Sequence, residues 1–144
     1  MTQSELEQFL LGFEGSTVRQ DKERKLRIFE IDFKELNSIW QNKLKDETLG
    51  DFDRTTGENI IKRIEREGDE SAIFAIIHDD SRPLQIDMKT GRQLSKLLRD
   101  RNESVVPSKL MNEKEWNMII GFGQISSSEM IDLLRLSYRI VSER

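Results

Sequence analysis

Cysteine is absent from this 144-residue chain. Disulfides, zinc–thiolate sites and thiol nucleophiles are therefore excluded. Histidine occurs once, as His78, which leaves little material for imidazole chemistry or for a histidine-rich metal site. Long apolar runs are missing as well. The longest continuous one, Ala72 to Ile77, is far too short to span a bilayer. The segment Met1 to Glu7 is polar and acidic, with no basic region followed by an apolar one, so it does not read as a signal peptide. These absences point to a cytoplasmic protein with no membrane partner. There is no internal repeat and no low-complexity tract.

What is present is a chain of one-domain length. Apolar and charged residues each make up 35% of it, and the net charge is -4. The apolar share suffices for one modest core and is too high for a wholly disordered chain. The overall field does not attract phosphate. Any nucleic-acid role must come from a local patch.

Thr2 and Glu5 have the spacing of a capping box. Leu6, Phe9, Leu10 and Phe13 follow on one helical face, with Gly12 and Gly15 as a stop. This predicts a first helix over 3–12. Five basic and two acidic residues crowd 19–27. Leu26 to Phe33 is β-branched and aromatic, and predicts a strand. Leu36, Ile39, Trp40 and Leu44 fit a short helix. Thr48 to Gly57 reads as a loop because of Gly50, Asp51, Asp53 and Gly57, and Ile60, Ile61 and Ile64 as one or two helical turns ended by Gly68. Ser71 to His78 is the clearest strand, and Leu84 to Met88 completes a hairpin with it. A helix from Thr90 or Gly91 carries Leu94, Leu97 and Leu98 on one face and ends near Asn102. Val105 to Pro107 is extended, and Glu115 to Phe122 is a further strand. Ser126 and Glu129 form a second capping box. They open a last helix with Met130, Leu133, Leu134, Ser137, Tyr138 and Val141 inward. This order implies an α+β fold with a mostly antiparallel sheet and flanking helices.

The stretch from Val105 to Ile120 resembles the signature of the MmcQ/YjbR family. In that signature an extended Val-Pro segment leads into Met-Asn, here Met111 and Asn112. Trp-Asn follows, here Trp116 and Asn117, and opens a strand. The turn with Gly121 and Gly123, the capped last helix and the pair Ser137 and Tyr138 complete the likeness, which covers about 1–18 and 71–142. The family is described as predicted DNA-binding with a double-wing arrangement of two hairpins and helices. The resemblance therefore implies a single MmcQ/YjbR-like domain over 1–144. The middle, about 34–70, is longer and more acidic than the family pattern and reads as an acidic insertion. The resemblance also implies a non-enzymatic protein that binds double-stranded DNA, in association with transcription.

Eight basic residues stand against four acidic ones in 82–114. Arg92, Lys96 and Arg99 are spaced to share one helix face. A phosphate-contacting stripe and the solvated side of an amphipathic helix both fit. With the basic stretch at 19–27, the candidate nucleic-acid contacts are Arg24, Lys25, Arg27, Arg92, Lys96, Arg99, Lys109, Asn112 and Lys114. Trp116 could stack on a base, but the simpler reading packs it between the last strand and the last helix, against Leu133, Leu134 and Tyr138. Asn112 and Asn117 could read adenine edges, although such residues more often bond local backbone. His78 beside Asp79 and Asp80 reads as a turn residue, since adjacent strand positions face opposite ways. Ser126 to Ser128 has no assignable base, Gly121 to Gly123 lacks phosphate-loop spacing, and the acidic middle lacks calcium-loop spacing. No catalytic, cofactor or metal site is expected. The alternative function is a protein-interaction module using the 34–70 segment, through Trp40 and Phe52 if these are exposed.

Overall fold

The computed structural model describes residues 1–67, 70–121 and 123–143. Its elements in chain order are α1 (Gln3–Leu11), β1 (Ser16–Asp21), β2 (Leu26–Asp32), α2 (Phe33–Leu44), α3 (Asp51–Glu67), β3 (Ser71–His78), β4 (Gln85–Lys89), α4 (Arg92–Arg101), β5 (Val105–Pro107), β6 (Trp116–Ile120) and α5 (Ser127–Glu143). The strands form one sheet in the order β1-β2-β3-β4-β6-β5. Every neighbouring pair is antiparallel. This is the α+β architecture that the pattern of elements implies. Among the described residues no helix is long and apolar enough to cross a membrane.

Period-two alternation sorts the strand residues onto two faces. Ala75 and Ile77 of β3 align with Met88 and Ile86 of β4, and Ile86 with Ile119 of β6. These join Leu6 and Leu10 of α1, Leu36 of α2, Ile60 of α3 and Met130, Leu134 and Val141 of α5 in the main core. Each of the Leu, Ile, Met and Val side chains contributes on the order of 1.5–3 kcal/mol by leaving water. On the opposite face Leu26, Ile28 and Ile76 form a smaller cluster with Ile73 and Met111.

Both capping boxes exist. Thr2 Oγ1 accepts from the Glu5 N–H at 3.2 Å, and Ser126 Oγ accepts from the Glu129 N–H at 3.2 Å. Helix α5 is fastened to the sheet by buried Ser137, whose hydroxyl donates to the Phe74 carbonyl at 2.6 Å and accepts from the Lys89 N–H at 2.8 Å. One turn on, the Tyr138 hydroxyl donates to the Glu14 carbonyl at 2.6 Å. Its ring stacks on Phe13 with centroids 4.5 Å apart. Burial, with Glu14 and Glu143 nearby, pushes the Tyr138 phenol above its ordinary value. The Ser-Tyr pair of the signature is thus a clamp between α5, the sheet and the end of α1.

Several expectations need correction. The loop expected over Thr48 to Gly57 is mostly helix, since α3 begins at Asp51. Gly57 is no loop marker: it is buried, and a Cβ there would lie 2.5 Å from Cε3 of Trp40. The glycine lets α3 approach α2 closely. Gly68, the expected helix stop, and Phe122, the expected strand end, lie outside the described residues. Strand β1 was not anticipated, because its four central residues are all exposed and it carries no apolar alternation. In α4 the fully buried residue is Ser95, whereas Leu97 is 43% exposed. Trp116 is buried, but it belongs to neither apolar cluster. Alternation puts Asn117 and Ile119 on the helix-covered face and Trp116 with Met118 on the other, so the expected packing against Leu133, Leu134 and Tyr138 does not occur.

Candidate nucleic-acid interface

Helix α4 starts from Gly91, whose φ of 83° suits glycine and which provides no side-chain cap. The helix is held to β6 by a buried polar network. Thr90 Oγ1 and Ser95 Oγ are 2.6 Å apart. The Asn117 amide donates to Thr90 Oγ1 at 3.3 Å and to the Ser95 carbonyl at 3.2 Å. Asn117 is fully buried, so it reads no base edge in this arrangement. Its NH2 group ties β6 to the start of α4, while its Oδ1 is buried with no hydrogen-bond partner among the described residues.

The connection from β5 to β6 folds back beside α4. Asn112 organises its turn: the side chain accepts from the Lys114 N–H at 3.0 Å, and the backbone carbonyl accepts from Glu115 at 3.1 Å and Trp116 at 2.9 Å. This is the local-backbone use of asparagine. Arg99 then bridges helix and turn, with Nε donating to the Ser95 carbonyl at 3.1 Å and Nη2 to the Glu113 carbonyl at 3.0 Å. The outcome is a cleft of about 390 Å³ lined by Arg92, Lys96, Arg99, Asp100 and Lys114. Four cations face one carboxylate. Arg92, Lys96 and Lys114 have no ion-pair partner among the described residues. Side chains at helical spacing on α4 and a lysine from a distant turn therefore meet in one place.

The other sequence candidates lie elsewhere. Lys109 sits in a separate groove with Val106, Pro107, Met111 and Met118. Arg24 and Lys25 are exposed in the β1–β2 turn, with strands β3 and β4 between them and β6. Arg24 stands 3.7 Å from Asp21. Arg27 is committed to internal ion pairs, at 2.8 Å from Asp79 and 3.0 Å from Glu7. The hydrogen bond to Asp79, with the charge of Glu7, raises its guanidinium above the usual range. Of the two aromatics in the middle segment, Phe52 is 78% exposed. Trp40 packs against the core, with the Lys43 ammonium 4.6 Å from its ring centre.

One pairing escaped the sequence reading. His78 turns away from a partnership with its neighbours in sequence: its Nε2 lies 2.6 Å from Oδ1 of Asp87, one strand over. Asp87 is 1% exposed, and its other oxygen accepts from the Ser108 hydroxyl. Ser108 Oγ in turn accepts from the Leu110 and Met111 N–H groups at 3.2 Å each. The chain of bonds fastens the start of the turn that carries Lys114. The order places the carboxylate between the two, so the serine hydroxyl meets Asp87 and not the imidazole. Among the described residues no cluster of three or more His, Asp or Glu side chains could hold a metal.

No family model matches the chain. Over 70 residues it is 27% identical to YjbR of Escherichia coli strain K12, a stretch that covers 49% of this chain and 59% of that protein. YjbR of the O157:H7 strain matches equally. The match thus spans little more than half the length of these relatives. The chain is YjbR-like. Its fold agrees with the crystal structure of Deinococcus radiodurans protein DR2400, which carries a DUF419 domain, at a TM-score of 0.68 and 16% identity, over 99% of this chain and 80% of that one. A Pseudomonas syringae protein has a TM-score of 0.58 at 14% identity, covering 97% and 98% of the two chains. At such identities the structural likeness speaks for the fold alone. The similarity to YjbR and the shared α+β fold are consistent with one another.

Proposed function

We propose that this YjbR-like chain binds the phosphate backbone of double-stranded DNA, without catalysis, through the α4 face and the 112–115 turn. The observation that carries the reading is the convergence of Arg92, Lys96, Arg99 and Lys114 on one cleft with a single carboxylate. Phosphate contacts need cations held at fixed separations, and Arg99 supplies the fixing by tying the turn to the helix. The net charge of -4 gives no overall attraction for phosphate, so binding would rest on local cations and weaken steeply with salt.

The test is a titration of duplex DNA at several salt concentrations. With about three phosphates neutralised by Arg92, Lys96 and Lys114, log K should fall with log salt at a slope of roughly -3. Lys96→Ala should weaken binding to all sequences alike and flatten the slope by about 1. Its melting temperature should stay near the parent's, because exposed substitutions usually fall within about 0.5 kcal/mol. Absence of binding at tens of micromolar in low salt would dispose of the proposal.

A further inference from the structure

The two edges of the sheet are treated differently. Strand β5 is three residues long and ends in Pro107, so its outer edge is short and lacks a donor at that position. Strand β1 has six residues and no proline. Its only cationic side chain, Arg19, is ion-paired with Glu30 on β2 and is drawn back over the sheet.

The register shows which backbone groups of β1 are free. The Asp32 N–H donates to the Gly15 carbonyl at 2.7 Å, which makes Gly15 and Asp32 a hydrogen-bonded pair. From there the antiparallel ladder directs the N–H and C=O of Thr17, Arg19 and Asp21 towards β2. Those of Ser16, Val18 and Gln20 point outward. The Ser16 N–H is taken by the Phe13 carbonyl. The outward groups of Val18 and Gln20 have no partner among the described residues, and Val18 is 42% exposed.

We infer that β1 pairs with β1 of a second copy of this chain, antiparallel about a two-fold axis at Val18. Strand addition satisfies just such a row of groups. Two antiparallel alignments keep nearly the whole strand paired with outward groups facing one another. One centres on Arg19 and sets two guanidinium groups directly opposite, which is unfavourable. The other centres on Val18: the two Val18 residues exchange N–H and C=O bonds, Gln20 donates to Ser16 of the second copy, and Arg19 stands opposite Thr17. Charge thus selects the register, and the surface is self-complementary as a two-fold contact requires. The product is one continuous sheet through both copies, with the α4 clefts at its two far ends. The inference does not depend on what those clefts bind.

Sedimentation and light scattering over a wide concentration range give the first readout. The parent should reach twice the 16.9 kDa monomer mass, while Val18→Lys, which sets like charges at the axis, should remain monomeric with an unchanged melt. The absence of cysteine allows a second readout. Val18→Cys should form a disulfide-linked dimer under mild oxidation, because facing Cα atoms of a bonded antiparallel pair lie about 5.5 Å apart. Leu110→Cys, exposed at the other edge, should cross-link at least tenfold more slowly. A parent that stays monomeric at hundreds of micromolar, a Val18→Lys protein that still dimerises, or equal cross-linking of the two cysteine variants would overturn the inference. Faster linkage through Arg19→Cys than through Val18→Cys would overturn the register and the charge argument behind it.

Discussion

Replacing Gly57 by alanine sets two effects of opposite sign against each other. Within a helix interior the change should stabilise by roughly 0.5–1 kcal/mol, since glycine loses more backbone freedom on folding than alanine does. At this position, however, the added Cβ would stand 2.5 Å from Cε3 and 3.1 Å from Cζ3 of Trp40. A ring held against the core cannot swing aside as the end of a lysine can, so α2 and α3 must separate. Overpacking of this kind costs about 1–3 kcal/mol. Steric cost should therefore win, leaving Gly57→Ala destabilised by about 1–2 kcal/mol. For a chain of this size that lowers the melting temperature by roughly 3–6 °C. Thermal melts followed by circular dichroism give the number. The control is the same substitution in a Trp40→Leu background, where the ring is gone and propensity alone remains. There Gly57→Ala should be neutral or stabilising by up to about 1 kcal/mol, so the two sites should couple by about 1–3 kcal/mol. A rise in melting temperature for Gly57→Ala in the parent would refute the close helix contact.

Three other perturbations follow from the same packing. Trp116→Ala removes a large ring that is 4% exposed and should cost about 3–5 kcal/mol in denaturant unfolding; an unchanged midpoint would mean that the ring is not packed. Ser137→Ala leaves the Lys89 N–H and Phe74 carbonyl without their buried partner, and a loss of about 1–3 kcal/mol is expected in the same assay. Tyr138 is the chain's only tyrosine, so phenolate absorbance reports it alone. Its phenol is raised by burial, so the unfolded chain ionises first. The neutral hydroxyl's contribution is complete below the unfolded value of about 10 and is lost as pH rises beyond it. Phenolate should appear late and together with unfolding, whereas titration near pH 10 in a folded protein would contradict the burial of the Tyr138 hydroxyl.

Periodicity and caps determined much of this protein without reference to contacts. Leu6 and Leu10, the run from Ser71 to His78, and Met130, Leu134, Ser137 and Val141 sit where their spacing puts them, because a face that must leave water repeats every 3.6 or every 2 residues. Thr2 and Ser126 begin helices because their hydroxyls satisfy amides that no helix can satisfy internally. The spacing of Arg92, Lys96 and Arg99 likewise determined that they share a face. What only tertiary structure decided were matters of partner and direction. Gly57 reads as a break until Trp40 is brought against it. Strand β1 has no buried face and thus no alternation to read; only its ladder with β2 makes it a strand. Arg27 looks as free as Arg92 in the sequence, but folding sets it against Glu7 and Asp79. Lys114 joins the α4 cations because Arg99, Asn112 and Ser108 together fasten its turn. His78 finds Asp87 across the hairpin instead of the aspartates beside it. Each of these depends on residues far apart in the chain arriving at one point, and no local spacing encodes that arrival.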